Sequence, residues 1–362
     1  MKKTMLRTMA LVFFTCAVTT GYGQRKQWAD TTVVTKHEVT VKGVRFSYTA
    51  KTGTQPVWND AGEPIAAVHY TYYERAGISD RDKRPLVISF NGGPGSGSVW
   101  MHIAYTGPRL LNIDDEGYPL QPYGVRENPY SLLDVADIVY INPVNTGYSR
   151  ILDPKADRSQ FFGVNADIKY LAEWINTFVT RENRWASPKY LIGESYGTTR
   201  VSGLALELQN SQWMYLNGVI LVSPTTLGID RSGPVEKALR LPYFAATAWY
   251  HKKLEASLQQ KDLLEVLPEV EAFTVNELLP AITKGGSLGA AERDAVAAKM
   301  ARYSGLSKKV ILQHNFDIAT AFFWKELLRD EGYTVGRLDS RYLGIDVKDG
   351  GERPDYNSEL TS

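Results

Sequence analysis

The stretch KYLIGESYGTTRVSGLALEL, residues 189–208, decides the fold. It opens with an apolar run that is typical of a strand buried on both faces of a sheet. It continues through Gly-Glu-Ser-Tyr-Gly into a helical pattern from Thr199 to Leu208. A Gly-x-Ser-x-Gly pattern between a strand and a helix indicates a sharp turn that projects the serine from the carboxyl edge of the sheet. We therefore predict that Ser195 is a catalytic nucleophile; a serine that only caps the helix is the alternative.

The residue after this serine also has a predicted role. Tyr196 places its backbone N–H at the N-terminus of the helix, where the helix dipole favours negative charge. Acyl transfer to a serine passes through an oxyanion that backbone N–H groups stabilise. The Tyr196 N–H is therefore predicted to be one of two oxyanion donors.

Further apolar runs predict the rest of the sheet. Three of them suit buried parallel strands: PLVISF (85–90), ADIVYI (136–141) and GVILV (218–222). A helix with an apolar stripe follows the second run; the stripe is formed by Ile168, Leu171, Trp174, Ile175 and Phe178. Alternating apolar and polar residues from 32 to 76 predict antiparallel strands before the first run. The pattern predicts an α/β fold, namely a mostly parallel, doubly wound sheet with antiparallel N-terminal strands.

Four segments are predicted along the chain. Residues 1–23 resemble a signal peptide, because basic residues precede an apolar run that is too short to span a membrane. Residues 24–224 form the N-terminal part of the α/β core. Residues 225–331, which are nearly all helical in pattern, form a helical cap insertion, and residues 332–362 start a return to the core that ends early. The signal peptide predicts a secreted or periplasmic protein.

Composition excludes several classes of function. The chain has 41 basic and 40 acidic residues and a formal net charge of +1, so we expect no nucleic-acid partner. The single cysteine, Cys16, lies inside the predicted signal peptide. The mature chain therefore has neither a disulfide nor a cysteine nucleophile, and we expect no membrane anchor after cleavage. Nothing in the sequence requires a metal or an organic cofactor.

A glycine-rich motif, NGGPGSGS at residues 91–98, directly follows the first buried run. A hydrolase with a serine at such a turn takes its second oxyanion donor from the loop after an earlier strand. Gly93 is the candidate, because glycine allows close approach to a substrate while Pro94 has no N–H to donate. A phosphate-binding loop is disfavoured, since neither GxGxxG spacing nor a following GK[ST] is present.

A third motif, YINPVNTGYS at residues 140–149, follows the second buried run and reaches the same edge of the sheet. Ligands bind at that edge in open α/β sheets. The motif is thus predicted to border the site; a rigid loop of ordinary turn residues is the alternative.

Together the three motifs resemble the serine carboxypeptidase family of the α/β-hydrolase superfamily, in a bacterial-type secreted member. NGGPG, PVNTGYS and GESYG match the family's loops in the same order and at similar spacing. The resemblance implies the α/β-hydrolase fold and the release of a C-terminal residue from a peptide through an acyl-enzyme. It also implies that Asn91 and Glu194 bind the terminal carboxylate of a peptide with a free C-terminus. Two positions depart from the family, which has tryptophan at the position of Ser89 and cysteine at that of Ser96.

The acid and the base of a catalytic triad are not identifiable. In this fold they follow the serine, yet only His251 and His314 come later in the chain. His251 lies in the cap-like segment and His314 lies within a long helical pattern, while Asp317 lacks the preceding glycine and strand of the family's acid motif. Only one buried run follows Ser195. We therefore expect an N-terminal fragment of a longer enzyme that lacks the last strands of the sheet.

Three functions follow from this sequence. The first is a serine-type carboxypeptidase. The second is an esterase or acyltransferase of the same fold, because fold and nucleophile do not determine the acyl donor. The third is a catalytically inactive, secreted peptide-binding protein.

Overall fold

The computed structural model describes residues 29–115, 117–153, 155–225 and 232–355. The predicted signal peptide and Cys16 lie outside these residues. The chain divides into two compact units, Met1–Leu227 and Gly228–Ser362. No helix within the described residues is long and apolar enough to cross a membrane.

Ten strands belong to the described part of the first unit. They are β1 (Thr31–Val41), β2 (Val44–Trp58), β3 (Pro64–Arg75), β4 (Leu86–Phe90), β5 (Arg109–Leu111), β6 (Val125–Glu127), β7 (Asp137–Ile141), β8 (Arg150–Ile151), β9 (Lys189–Glu194) and β10 (Gly218–Val222). The main sheet has the order β1-β2-β3-β7-β4-β9-β10, with β8 paired to β3, while β5 and β6 form a separate hairpin.

The main sheet confirms the predicted fold class. Strands β7, β4, β9 and β10 pair in parallel, whereas β1, β2 and β3 pair antiparallel and precede them in the chain. The chain turns between β1 and β2 at Lys42 and Gly43, which have φ angles of 48° and 80°. The sheet is therefore mixed: its central strands are parallel and its N-terminal strands are antiparallel, as in the α/β-hydrolase fold.

Two helices pack against the sheet of the first unit, α1 (Val164–Arg181) and α2 (Tyr196–Gln212). The predicted stripe of α1 faces the core: Leu171, Trp174 and Ile175 are buried there with Phe178, and Ile168 is half-buried. Helix α2 lies close to α1, since a Cβ at Gly203 would lie 2.1 Å from Ile168 Cδ1. A side chain larger than glycine at position 203 would therefore force Ile168 of α1 out of its position.

The burial predicted for GVILV, residues 218–222, is wrong. These residues form β10, but Val219, Ile220 and Leu221 are 37–43% exposed. The reason is that β10 is the terminal strand of the described sheet and pairs with β9 alone. An apolar run indicates a strand here but not its place in the sheet.

The described part of the second unit is built of helices and one hairpin. The helices are α3 (Pro234–Leu239), α4 (Leu241–Tyr250), α5 (Ala256–Gln259), α6 (Leu263–Phe273), α7 (Leu279–Lys284), α8 (Ala290–Ser304), α9 (Lys308–Gln313) and α10 (Thr320–Glu326). The hairpin joins β11 (Thr334–Val335) to β12 (Leu343–Gly344). Phe244 and Phe323 stack with ring centroids 4.1 Å apart in the core of this unit.

The long helical pattern around His314 is not one helix. Helix α9 ends at Gln313, and α10 begins only at Thr320. Between them Asn315 and Phe316 have φ angles of 51° and 67°, which an α-helix does not accommodate. The Phe316 side chain is buried in the core of this unit.

Candidate active site

The site is built around the turn between β9 and α2, where Ser195 lies. Ser195 has φ 56° and ψ −124°, a conformation that non-glycine residues rarely adopt. Two backbone hydrogen bonds hold it: the Ser195 N–H donates to the Val222 carbonyl at 3.0 Å, and the Thr198 N–H donates to the Ser195 carbonyl at 2.9 Å. Tyr196 is the first residue of α2, so its backbone N–H lies at the helix N-terminus.

The glycines of the GESYG motif are required by close packing. A Cβ at Gly193 would lie 2.1 Å from the Gly197 carbonyl oxygen. A Cβ at Gly197 would lie 3.0 Å from the Asn91 carbonyl oxygen and 3.1 Å from that of Phe90. The turn therefore packs against itself and against the end of β4, where the NGGP loop begins.

Gly92 brings the NGGP loop closest to the nucleophile turn. A Cβ at this position would lie 2.7 Å from Ser195 Cβ and 2.7 Å from the Tyr196 backbone nitrogen. Gly93, the predicted second oxyanion donor, has φ 113°, which favours glycine. Its role as a donor stays a prediction. The sequence singles out Gly93 but not Gly92, although two successive glycines after a strand are a signal for such close approach.

The two residues predicted to bind a terminal carboxylate are in direct contact. Asn91 Nδ2 donates a hydrogen bond to Glu194 Oε2 at 3.1 Å. The Asn91 side chain is buried, and its Oδ1 accepts a hydrogen bond from the Met101 backbone N–H at 3.0 Å. This bond orients the amide so that its nitrogen faces Glu194. Glu194 is half-buried, and its Oε1 makes no hydrogen bond within the described residues.

The third motif packs against the second through Asn142. Asn142 Oδ1 accepts a hydrogen bond from the Ser98 backbone N–H at 2.8 Å. Gly147 lies so close that a Cβ there would be 2.4 Å from Asn142 Nδ2. The loops after β4 and β7 therefore form one continuous rim at the carboxyl edge of the sheet.

A buried ion pair lies beneath these loops, and no sequence signal marks it. Arg200 Nε donates to Asp167 Oδ2 at 2.7 Å, joining α2 to α1. Arg200 Nη1 donates to the Asn91 carbonyl oxygen at 2.9 Å, and Nη2 donates to that of Pro94 at 3.4 Å. Burial raises the pKa of the Asp167 carboxyl, while the charge of Arg200 opposes this shift. On sequence alone, an arginine on a helix is typical of a solvated surface.

The histidines of the first unit have partners other than Ser195. His102 Nε2 and the Tyr73 hydroxyl are hydrogen-bonded at 2.6 Å, and burial lowers the pKa of His102 to about 4. His69 contacts Thr52 and Asn142, and burial also lowers its pKa. No histidine in the described part of this unit hydrogen-bonds to the Ser195 hydroxyl.

The later histidines and Asp317 have partners within the second unit. His251 Nε2 lies 2.7 Å from the Ser340 carbonyl oxygen, a distance at which the ring N–H donates to it. The ring of His314, which follows α9, packs on Phe322 with centroids 4.3 Å apart. Asp317 is paired with Lys237 at 2.7 Å and with Arg240 at 3.4 Å.

Comparison with known proteins identifies the family. A family model described as serine carboxypeptidase matches residues 56–263, which is more than half of the chain. The chain belongs to the serine carboxypeptidase family. Serine carboxypeptidase-like 16 of Arabidopsis thaliana is 30% identical over 176 residues, covering 46% of this chain and 39% of the relative. Serine carboxypeptidase-like 14 of the same plant is 26% identical, covering 52% and 43%.

The chain spans about two fifths of the length of the curated relatives it matches. Because these relatives are plant proteins, the bacterial-type assignment stays a prediction. Among solved structures, a prohormone-processing carboxypeptidase from Saccharomyces cerevisiae is 17% identical, with a TM-score of 0.42, covering 72% of this chain and 53% of that chain. A peroxisomal alpha-beta-hydrolase from the same yeast is 14% identical, with a TM-score of 0.30, covering 67% and 62%.

The two positions that depart from the family pattern, Ser89 and Ser96, differ in their hydrogen bonding. Ser89, at the position where the family has tryptophan, is fully buried in β4. Its hydroxyl has no hydrogen-bond partner within the described residues. Ser96, at the cysteine position, donates its backbone N–H to the Gly92 carbonyl at 3.3 Å and so helps to close the NGGP loop.

Proposed function

We propose that this chain carries the nucleophile and the substrate-binding residues of a serine-type carboxypeptidase. Membership of the family supports a serine hydrolase. The observation that carries the finer proposal is the hydrogen bond between Asn91 and Glu194, because Glu194 directly precedes Ser195 and Asn91 begins the loop that packs against the nucleophile turn. A paired amide and carboxyl next to a nucleophile suit a substrate that ends in a free carboxylate.

The proposed chemistry begins with Ser195. Its Oγ attacks the carbonyl carbon of the last peptide bond, and its proton passes to a general base. The backbone N–H groups of Gly93 and Tyr196 stabilise the oxyanion. The amine of the C-terminal residue then leaves with a proton, and water hydrolyses the acyl-enzyme to return Ser195 to its free form.

Asn91 and Glu194 hold the terminal carboxylate in this proposal. The Asn91 amide donates a hydrogen bond to one carboxylate oxygen. Glu194 binds another carboxylate only if the two groups share a proton, since two negative charges at hydrogen-bonding distance repel. The enzyme is therefore expected to work best at acidic pH.

The proposal leaves the acid and base of the triad unassigned. The expectation that both lie beyond Ser362 stays a prediction. It is tested by the coding sequence that follows: absence of a GxxD or GH segment within about 150 residues, a typical domain length, would refute it.

The decisive experiment compares two substrates that differ only at the C-terminus. A protein that carries the full triad is expected to hydrolyse a blocked dipeptide with a free carboxylate but not its amidated form, whereas residues 1–362 alone, without an identified base, are expected to show little or no turnover. Ser195→Ala serves as the inactive control. Hydrolysis of both forms at similar kcat/KM would instead favour an esterase or acyltransferase of the same fold.

A catalytically inactive peptide-binding protein is the second candidate. It is favoured by one observation, namely that the described histidines of the first unit have partners other than Ser195. A fluorophosphonate probe distinguishes the two, because it reacts only with an activated serine. A folded sample that binds the dipeptide acid but leaves Ser195 unlabelled would favour this candidate.

We also propose that the protein is exported from the cytoplasm. The basic and apolar pattern of residues 1–23 supports a signal peptide, and hence a secreted or periplasmic protein that meets peptides outside the cytoplasm. N-terminal sequencing of the mature protein tests this proposal, with cleavage expected after Gly23.

A further inference from the structure

We propose that Arg200 is a positioning residue that fixes the NGGP loop against the nucleophile turn. This inference rests on the proposed carboxypeptidase function. Arg200 lies five positions after Ser195 on α2 and is 1% exposed. Its guanidinium joins α2 to two other elements. It binds helix α1 through Asp167 and the loop after β4 through two carbonyl oxygens.

The two carbonyls that accept from Arg200 enclose the critical part of the loop. They belong to Asn91 and Pro94, and the residues between them are Gly92 and Gly93. A planar guanidinium donates along fixed directions, so it determines the orientation of both acceptors. Arg200 thereby constrains the backbone that carries the predicted oxyanion donor of Gly93.

The anion that orients Arg200 is itself held from the third motif. The Tyr170 hydroxyl donates to Asp167 Oδ1 at 3.3 Å and accepts a hydrogen bond from the Val144 backbone N–H at 3.0 Å. Arg200 thus reaches the third motif through Asp167 and Tyr170, in addition to its direct bonds to the second motif. The guanidinium carbon of Arg200 lies 5.2 Å from the centroid of the Tyr196 ring, in the first motif.

The position of Asn91 depends on this arrangement. The bond from Asn91 to Glu194 is already 3.1 Å long, so an increase of about 0.5 Å would take it beyond hydrogen-bonding distance. The Asn91 carbonyl is bound to Arg200 on α2, and Glu194 immediately precedes the nucleophile that leads into α2. Arg200 therefore sets the spacing of the carboxylate-binding pair.

The test uses Arg200→Lys, with Arg184→Lys as the matched control. Arg184 is fully buried and bound to Asp137 at 2.7 Å, near the amino ends of the parallel strands and thus at the opposite edge of the sheet. Two quantities are measured: the ratio of Kd values for a blocked dipeptide acid and its amide, and hydrogen exchange in residues 91–97 and 193–197. Thermal melting monitors the fold of each variant.

Arg200→Lys keeps the charge but loses the fork that reaches three acceptors. We expect it to reduce the preference for the acid over the amide by about tenfold. A factor of this size corresponds to the free energy of one charge-assisted hydrogen bond. Exchange in both segments is expected to accelerate. Arg184→Lys is expected to lower the melting temperature while changing neither quantity. Asp167→Asn, which retains an acceptor for Arg200, is expected to have a smaller effect of the same kind.

The two proposals fail in different ways. If the wild-type protein does not prefer the acid, the carboxypeptidase proposal fails, and hydrogen exchange alone decides the role of Arg200. If Arg200→Lys leaves exchange in both segments unchanged, or accelerates it no more than Arg184→Lys does, the positioning role of Arg200 is refuted.

Discussion

Asn91 and Glu194, 103 positions apart in the chain, are joined by a hydrogen bond of 3.1 Å from the amide nitrogen to the carboxylate oxygen. The bond connects the loop after β4 to the last residue of β9, two neighbouring parallel strands. It brings the amide donor of Asn91 to the carboxyl group of the residue that directly precedes Ser195. We expect the ligand selectivity of the proposed site to depend on this pair.

Glu194→Gln is expected to remove the pH dependence of binding. The glutamine amide donates a hydrogen bond to a carboxylate without a shared proton, whereas Glu194 needs one. The affinity of wild-type protein for the dipeptide acid should therefore fall from acidic to neutral pH as the shared proton is lost, while that of the variant stays nearly constant. Calorimetric titration across this range measures both, with the dipeptide amide as control. Parallel pH profiles for the two proteins would refute the shared proton.

Gly92→Ala is expected to destabilise the first unit, because the new methyl group would lie 2.7 Å from Ser195 Cβ and from the Tyr196 nitrogen. Overpacking of this kind costs about 1–3 kcal/mol of unfolding free energy. Gly95→Ala is the matched control in the same loop, since nothing lies within 4 Å of a Cβ there. Denaturant unfolding of both variants measures the difference. Equal stability would show that the turn accommodates the methyl group.

Asp137→Asn is expected to be among the most destabilising changes in the sheet. Both oxygens of this fully buried carboxylate accept from arginines, Arg84 and Arg184, each at 2.7 Å. Removal of the negative charge leaves two buried guanidinium groups without compensation, at a cost of about 3–5 kcal/mol. Asp80→Asn, which alters an exposed pair with Lys83, is the control and should melt like wild type. A small effect of Asp137→Asn would mean that water reaches the arginines.

His102 is expected to weaken the fold in acid. Burial lowers its pKa from 6.5 to about 4, so the folded state binds this proton less readily than the unfolded state does. The neutral ring contributes to the unfolding free energy in full above pH 6.5. This contribution, up to about 3 kcal/mol, is lost as the pH falls towards 4. His102→Gln, which keeps a partner for Tyr73, should reduce this acid sensitivity. Denaturant unfolding of both proteins at about pH 7 and about pH 4.5 measures the unfolding free energy at each pH. If the two proteins lose the same unfolding free energy between these pH values, His102 is excluded as the cause.

The sheet could be predicted because each of its central strands corresponds to a continuous apolar run in the sequence. Continuous apolar runs indicated β4, β7 and β9, and the stripe on α1 indicated the face that packs on them. Two features could not be predicted in this way. The exposure of β10 depends on strand order, and the break at Asn315 and Phe316 has no glycine or proline to mark it.

The site likewise contains residues that the sequence predicts and one that it does not. Ser195 and Tyr196 lie at a strand-to-helix turn that the sequence indicates, and the family resemblance singled out Asn91 and Glu194. Arg200 was missed because its significance lies entirely in tertiary position. A charged residue on a helix indicates solvent exposure until the acceptors around it are known.

The open edge of β10 has a practical consequence for the isolated chain. A strand that pairs on one side only presents unused backbone donors and acceptors, and here it also presents apolar side chains. Such an edge recruits further strands, including those of identical molecules. Concentrated preparations are therefore expected to self-associate, and light scattering should show this association decreasing in Ile220→Lys. The hydrophobic run that favoured a buried strand is thus expected to influence the solubility of the protein.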